Sequence, residues 1–278
     1  MKALKKLREL AASFDAAGIE SAAKEAELLI TEIIQTERTR LYTADPEITA
    51  EKFCIIDSLA RRRIAGEPIQ YIIGHVEFYG LTIRVGPGVL IPRPETELLV
   101  EEAIRILKPL PEPSVLDLCT GTGCIAIAIA KNIPGSTVLG TDRSARAIDY
   151  ARRNAGENNT ANVSFLIGDL FQPVQGKSFH CIISNPPYIK KKVIPLLQKE
   201  VREYEPHEAL DGGEDGLEFY RRIFSEGPSL LLENGSMLME IGHDQADEIA
   251  SLAQEAGLRE IRLIKDYAGI RRIFAARL

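Results

Sequence analysis

Apolar residues recur every three or four positions through the first part of the chain. Leu4, Leu7, Leu10, Ala11 and Phe14 share one helical face, and Ala22, Ala26, Leu29, Ile30 and Ile33 repeat the pattern in a second helix. After the breaker Asp45-Pro46, Phe53, Ile56, Leu59 and Ala60 predict a third helix over about 47–65. Three short amphipathic helices make a small bundle over residues 1–74. From Val76 the pattern changes. Residues 77–85 read as a hairpin or extended linker, and the Gly/Pro-rich stretch 86–94 continues it, which makes 75–94 a connecting segment. Pro94 suits the first turn of a helix over about 95–107, and Pro109, Pro111 and Pro113 end that helix.

From here to the C-terminus strand and helix patterns alternate. Strands are predicted at 114–118, 137–141, 163–167, 179–184 and 237–241, with two more at the end of the chain. Helices are predicted at 123–131, 145–154, 217–232 and 245–255. Regular β-α-β alternation implies an α/β domain over 95–278, built on an open, mostly parallel sheet with helices on both faces.

Composition narrows the partners. The 278 residues carry 34 basic and 40 acidic side chains, a net charge of −6. Residues 1–75 hold 11 basic and 12 acidic groups, so the bundle is not a phosphate-binding arm, and a direct nucleic-acid partner is disfavoured. Cys54, Cys119, Cys124 and Cys181 have neither CxxC nor Cys/His spacing, so no metal site is expected. The first twenty residues are charged throughout, unlike a signal peptide, and no apolar run reaches the ~20 residues of a membrane span. A cytoplasmic protein that does not engage a membrane is expected.

Ligands of such sheets bind beyond the C-terminal strand ends, and residues with chemistry gather there. The first strand ends in Asp117-Leu-Cys-Thr-Gly-Thr-Gly123, a turn that lets backbone approach a ligand ahead of a helix N-terminus. The second ends in Asp142, 19 residues after Gly123 and close to the spacing at which an acid reaches a ribose diol. The third ends in Gly168-Asp169, a second acid suited to ribose or an adenine amine. Each Asp alone is equally a helix N-cap. These features fit a dinucleotide and S-adenosylmethionine alike. The fourth strand separates them, because it runs into Asn185-Pro186-Pro187-Tyr188. A planar NH2 group offers two in-plane donors, and the Asn185 side-chain oxygen and Pro186 carbonyl can accept both. The prolines stiffen the turn, and Tyr188 offers a flat face over the group. Such a cradle holds a poor nitrogen nucleophile in line for methyl transfer.

Asp117 to Gly123, Asp142, Asp169 and 185–188 resemble the class I methyltransferases that modify exocyclic amines or amides. Three further segments, 63–74, 90–97 and 200–216, together with the helical N-terminal region and hairpin, resemble the release factor glutamine methyltransferases (the PrmC/HemK family), so that the resemblance covers nearly the whole chain. It implies a Rossmann-like methyltransferase domain at 95–278 and a substrate-docking bundle at 1–74. Residues Cys119, Thr120, Gly121, Thr122, Gly123, Asp142, Asp169, Leu170 and Asn185 would contact S-adenosylmethionine. Asn185, Pro186, Pro187 and Tyr188 would hold the substrate glutamine, with Asn185, Pro186 and Tyr188 carrying catalysis. The implied activity is N5-methylation of the Gly-Gly-Gln glutamine of class-1 peptide chain release factors, by a monomer. The alternative is N6-adenine methylation of DNA or RNA, since adenine's amine fits the same cradle. Cys119 departs from the family's glycine, and Leu170 from the aromatic that some members place beside the adenine. The chain's ending at 265–272 matches only loosely. Arg93 is a candidate to reach the cofactor carboxylate or the substrate loop, Lys190 to Lys192 read as a solvated loop, and Arg61 to Arg63 as charges that complement a helix end.

Overall fold

A computed structural model describes all 278 residues. It divides into two compact units, one of residues 1–74 with 198–204, the other of 75–197 with 205–278.

In the first unit the N-terminal region forms α1 (Ala3–Ala16), α2 (Ala22–Ile34), α3 (Arg38–Ala44), α4 (Ala50–Ile64) and α5 (Ile69–Ile73). Leu10, Phe14, Leu29, Ile30, Leu41 and Ile56 make its buried core. The expectation of three helices is corrected to five, because α3 and α5, of 7 and 5 residues, are too short to declare a 3.6-residue period. The helix expected from about 47 begins instead at Ala50. Thr49 caps it by accepting the Lys52 N–H, while Glu47 is held extended in a bridge with Lys2. Arg63 does more than complement the end of α4. It is buried, and its guanidinium holds Glu25 on α2 and Glu200 of the 198–204 segment, each at 2.5 Å.

The second unit opens with a hairpin, β1 (His75–Phe78) and β2 (Leu81–Arg84). Then follow α6 (Glu97–Leu107), β3 (Ser114–Leu118), α7 (Cys124–Asn132), β4 (Thr137–Asp142), α8 (Ala145–Glu157), β5 (Val163–Ile167) and β6 (Phe179–Ser184). After α9 (Lys199–Tyr204), which belongs to the first unit, come α10 (Glu218–Glu226), β7 (Leu231–Glu240), α11 (Ala246–Glu255), β8 (Arg259–Lys265) and β9 (Arg271–Arg277). The helix expected over 217–232 is cut at Glu226. Pro228 has no N–H to continue it, so the chain makes a 3-10 turn and enters β7 six residues earlier than the expected start at 237. No helix is long and apolar enough to cross a membrane.

The seven-stranded sheet runs β5-β4-β3-β6-β7-β9-β8, with β3 to β7 parallel and β9 antiparallel to both of its neighbours, β7 and β8. From β3 the chain builds outward through β4 to β5, then crosses back to lay β6 on the other side of β3. Order therefore reverses between β3 and β6, and a crevice opens beyond their C-terminal ends. Val115, Leu116, Leu118, Cys181 and Ile183 of these strands are fully buried and anchor them in the core.

Candidate active site

The β3–α7 turn forms the base of the crevice. Thr120 N–H donates to the Thr141 carbonyl at 3.0 Å, so the turn is tied to the neighbouring strand. Asp142 at the end of β4 takes the Gly121 N–H on one carboxylate oxygen and the Ser144 N–H on the other, both at 2.9 Å. Burial raises its carboxyl above the usual range despite these donors. Gly123 has φ +79°, and an added Cβ would lie 3.0 Å from both Ala151 and Phe165, so glycine here allows α7 to approach α8 and β5 closely. Cys119 itself has φ +57°, a left-handed conformation that explains why glycine suits this position.

Beneath the turn Asp117 is completely buried, with one carboxylate oxygen accepting the Thr120 hydroxyl at 2.6 Å and the other without a partner. Burial pushes its carboxyl up to about 7. A group that is harder to ionise folded than unfolded stabilises the fold below its unfolded pKa, and that contribution is lost as pH rises to its folded value. Asp117→Asn, which cannot ionise, should therefore gain in melting temperature relative to the parent as pH rises from about 4 to 7. Thermal melts of the ligand-free protein across that range check this. A constant difference would mean that Asp117 does not titrate there.

On the opposite wall, Asn185 and Pro187 extend from β6 into the same pocket as 119–122, Asp142, Asp169 and Leu170. Pro186 and Tyr188 do not line it; Gly123 is also set back. The Tyr188 hydroxyl turns instead to Glu240 at the end of β7, donating to its Oε1 at 3.1 Å. Burial raises the Tyr188 phenol, and the Glu240 carboxylate adds to this, so it stays protonated near neutrality. Glu240 Oε2 takes the Thr96 hydroxyl at 2.6 Å, and Thr96 in turn accepts the Asn185 side-chain N–H at 3.3 Å. Glu240, 2% exposed, is itself shifted upward by burial.

The loop that follows packs beneath this turn. Ile189 N–H donates to the Leu210 carbonyl and Gly212 N–H returns to Ile189, at 3.0 and 2.9 Å. A Cβ on Gly212 would lie 2.7 Å from the Tyr188 Cα, so only glycine fits beneath the turn. Arg93 lines the pocket and pairs with Glu205 at 2.5 Å, and the other Glu205 oxygen takes the Ile91 N–H at 3.0 Å. Lys190 is paired with Asp244 at 2.6 Å. The Asp169 carboxylate meets Arg222 of α10 at 2.5 Å, at the rim.

Sequence reading missed Thr96, Phe219 and Glu240. Thr96 and Phe219 line the pocket. Phe219 sits with Tyr220, Ile223 and Phe224 on an amphipathic helix and reads as core. Glu240 gives a signal in retrospect, as an acid closing the apolar run Met237-Leu-Met at a strand end.

Residues 5–74 match the PrmC N-terminal domain, and residues 95–202 match the Methyltransferase small domain. The release factor glutamine methyltransferase of Thermodesulfovibrio yellowstonii is 46% identical over 275 residues, spanning 98% of this chain and 97% of that protein. The chain belongs to the release factor glutamine methyltransferase family. The family member from Geobacter sulfurreducens is 41% identical across 94% of this chain and 91% of its own. Beyond the family, the fold alone is shared with a methyltransferase from Pyrococcus furiosus, at a TM-score of 0.53 and 20% identity, over 82% of this chain and 98% of that one. The sheet, crevice and N-terminal helices described above are those of a class I methyltransferase carrying this family's additional domain.

Proposed function

We propose that this protein transfers a methyl group from S-adenosylmethionine to the side-chain amide nitrogen of a glutamine in class-1 peptide chain release factors, at their Gly-Gly-Gln sequence. The observation that carries the reading is Asn185-Pro186-Pro187-Tyr188 at the switch point of the sheet, in a chain whose near full-length relatives are named for this activity.

The pocket suits the cofactor. Residues 119–122 line the pocket, and Gly121 has no atom nearer than 4.0 Å to an added Cβ. Asp142 keeps lone pairs for a ribose diol, and Leu170, Ala209 and Phe219 give an apolar wall for a flat ring. When bound, the cofactor supplies an electron-poor methyl carbon on its sulfonium. Asn185 and the Pro186 carbonyl would accept the two hydrogens of the substrate amide, hold its nitrogen in line, and raise electron density where the bond forms. No strong base is needed, because the nitrogen becomes acidic as it takes the methyl group and its proton can pass to water. Residues 1–74 would dock the protein partner, and their exposed Leu28, Tyr42, Ile55 and Ile64 provide apolar surface for that.

The deciding assay follows labelled methyl groups into a purified release factor, beside the same factor with its Gly-Gly-Gln glutamine replaced, and into duplex and single-stranded nucleic acid. Label confined to the intact factor is expected. Label on adenine, with steep salt dependence, would replace this reading by N6-adenine methylation.

A further inference from the structure

The Asn185 amide must present its oxygen, not its NH2, to a substrate amide, and amide ends have nearly the same shape. Shape therefore cannot choose between them; hydrogen-bond polarity can. The Thr96 hydroxyl stands between Asn185 and Glu240, with one hydrogen to give. Two hydroxyls, of Thr96 and Tyr188, converge on the two Glu240 oxygens. With both of its oxygens receiving a hydroxyl hydrogen, Glu240 stands there as an acceptor. Thr96 must then donate to Glu240 and can only accept from Asn185. A flipped Asn185 would set its oxygen against a hydroxyl with no hydrogen left for it.

We propose that Glu240 is a positioning residue that fixes, through Thr96, which end of the Asn185 amide faces the substrate, and through Tyr188 anchors the far end of the same turn. The proposal rests on the glutamine reading above and adds a source of selectivity to it. A site held in the accepting state welcomes an NH2 group and repels the carboxylate of a glutamate in its place. Strand register makes this arrangement. Ser184 pairs with Met239, so the chain ends of β6 and β7 emerge side by side, and Tyr220 holds the Glu240 main-chain carbonyl at 2.7 Å.

The test uses Thr96→Val, which keeps shape and loses the hydroxyl, Thr96→Ser, which keeps the hydroxyl, Glu240→Gln, and the Val/Gln double variant. Thr96→Val is expected to lower kcat on the order of 10-fold, with S-adenosylmethionine Kd by calorimetry unchanged, and Thr96→Ser to restore it. Since both residues act through Asn185, the double variant should lose no more than the more damaged single. Parental kcat in Thr96→Val, or losses that multiply in the double variant, would overturn the relay.

A second readout needs no methyl acceptor. The Asn185 side-chain NH2 resonances of labelled, cofactor-loaded protein, identified by their absence in Asn185→Asp, should shift in Thr96→Val and Glu240→Gln and return in Thr96→Ser. Resonances that ignore these changes count against the relay even if turnover falls. Should the parent fail to methylate a release factor, the glutamine reading fails by itself and the resonances still decide the relay.

Discussion

Asn185→Ala is expected to lower kcat for methyl transfer on the order of 10²- to 10³-fold, the loss seen when one polar group tuned to a transition state is removed. An amide nitrogen is a poor nucleophile because its lone pair is shared with the carbonyl. What the turn can offer is position and two acceptors, and the alanine variant keeps only one, the Pro186 carbonyl. The remainder of the site should survive, since β6 is buried and the Asn185 side chain makes its hydrogen bond to Thr96 rather than to the sheet. Single-turnover rates at saturating cofactor, with cofactor Kd measured alongside, check the result. Turnover equal to the parent with unchanged cofactor binding would sink the proposed mechanism.

The second large effect should fall on binding instead. Asp142→Ala is expected to raise the S-adenosylmethionine Kd on the order of 10²-fold, with a smaller change in kcat once cofactor is saturating. The carboxylate would meet the ribose diol, and a hydrogen bond to a charged group contributes roughly 1.5–3 kcal/mol net, where each 1.4 kcal/mol is about tenfold in Kd. It also receives the Gly121 and Ser144 N–H groups, so its removal loosens the turn as well. Asp142→Asn should rescue little, because its NH2 would have to face one of those two donors. Calorimetric titration of both variants checks this, and a parental Kd in the alanine variant would place the cofactor elsewhere. The two variants thus separate the walls of the crevice, one acting on the chemical step and the other on the cofactor.

Much of this crevice is written locally in the chain. The bounds of β3 and β6 match the predicted strands, because short continuous apolar runs closed by polar turn residues are unambiguous when helices flank them. Each strand end carries its own polar residues, so the parallel sheet that the alternation implies was enough to bring residues 119–122, Asp142, Asp169, Leu170 and Asn185 to one pocket. The methyltransferase chemistry could be read from those same local segments, and the family from the further segments 63–74, 90–97 and 200–216.

The rest depended on distance in sequence. Thr96 and Glu240 are 144 residues apart, and Asn185 and Thr96 are 89 apart. No periodicity links such positions; they meet only because β7 lies beside β6 in one register and α6 begins at the mouth of the crevice. Arg93 and Glu205 are likewise 112 residues apart. The course of the 205–216 loop was not legible for the same reason, since Leu210, Gly212 and Gly213 take backbone partners at 189–191 in addition to the short turn bonds within 206–211. Local sequence thus placed the groups that would touch ligands, because they sit where strands end. Tertiary structure alone decided which way those groups point, because a side chain's hydrogen-bond polarity is set by neighbours that the chain supplies from elsewhere.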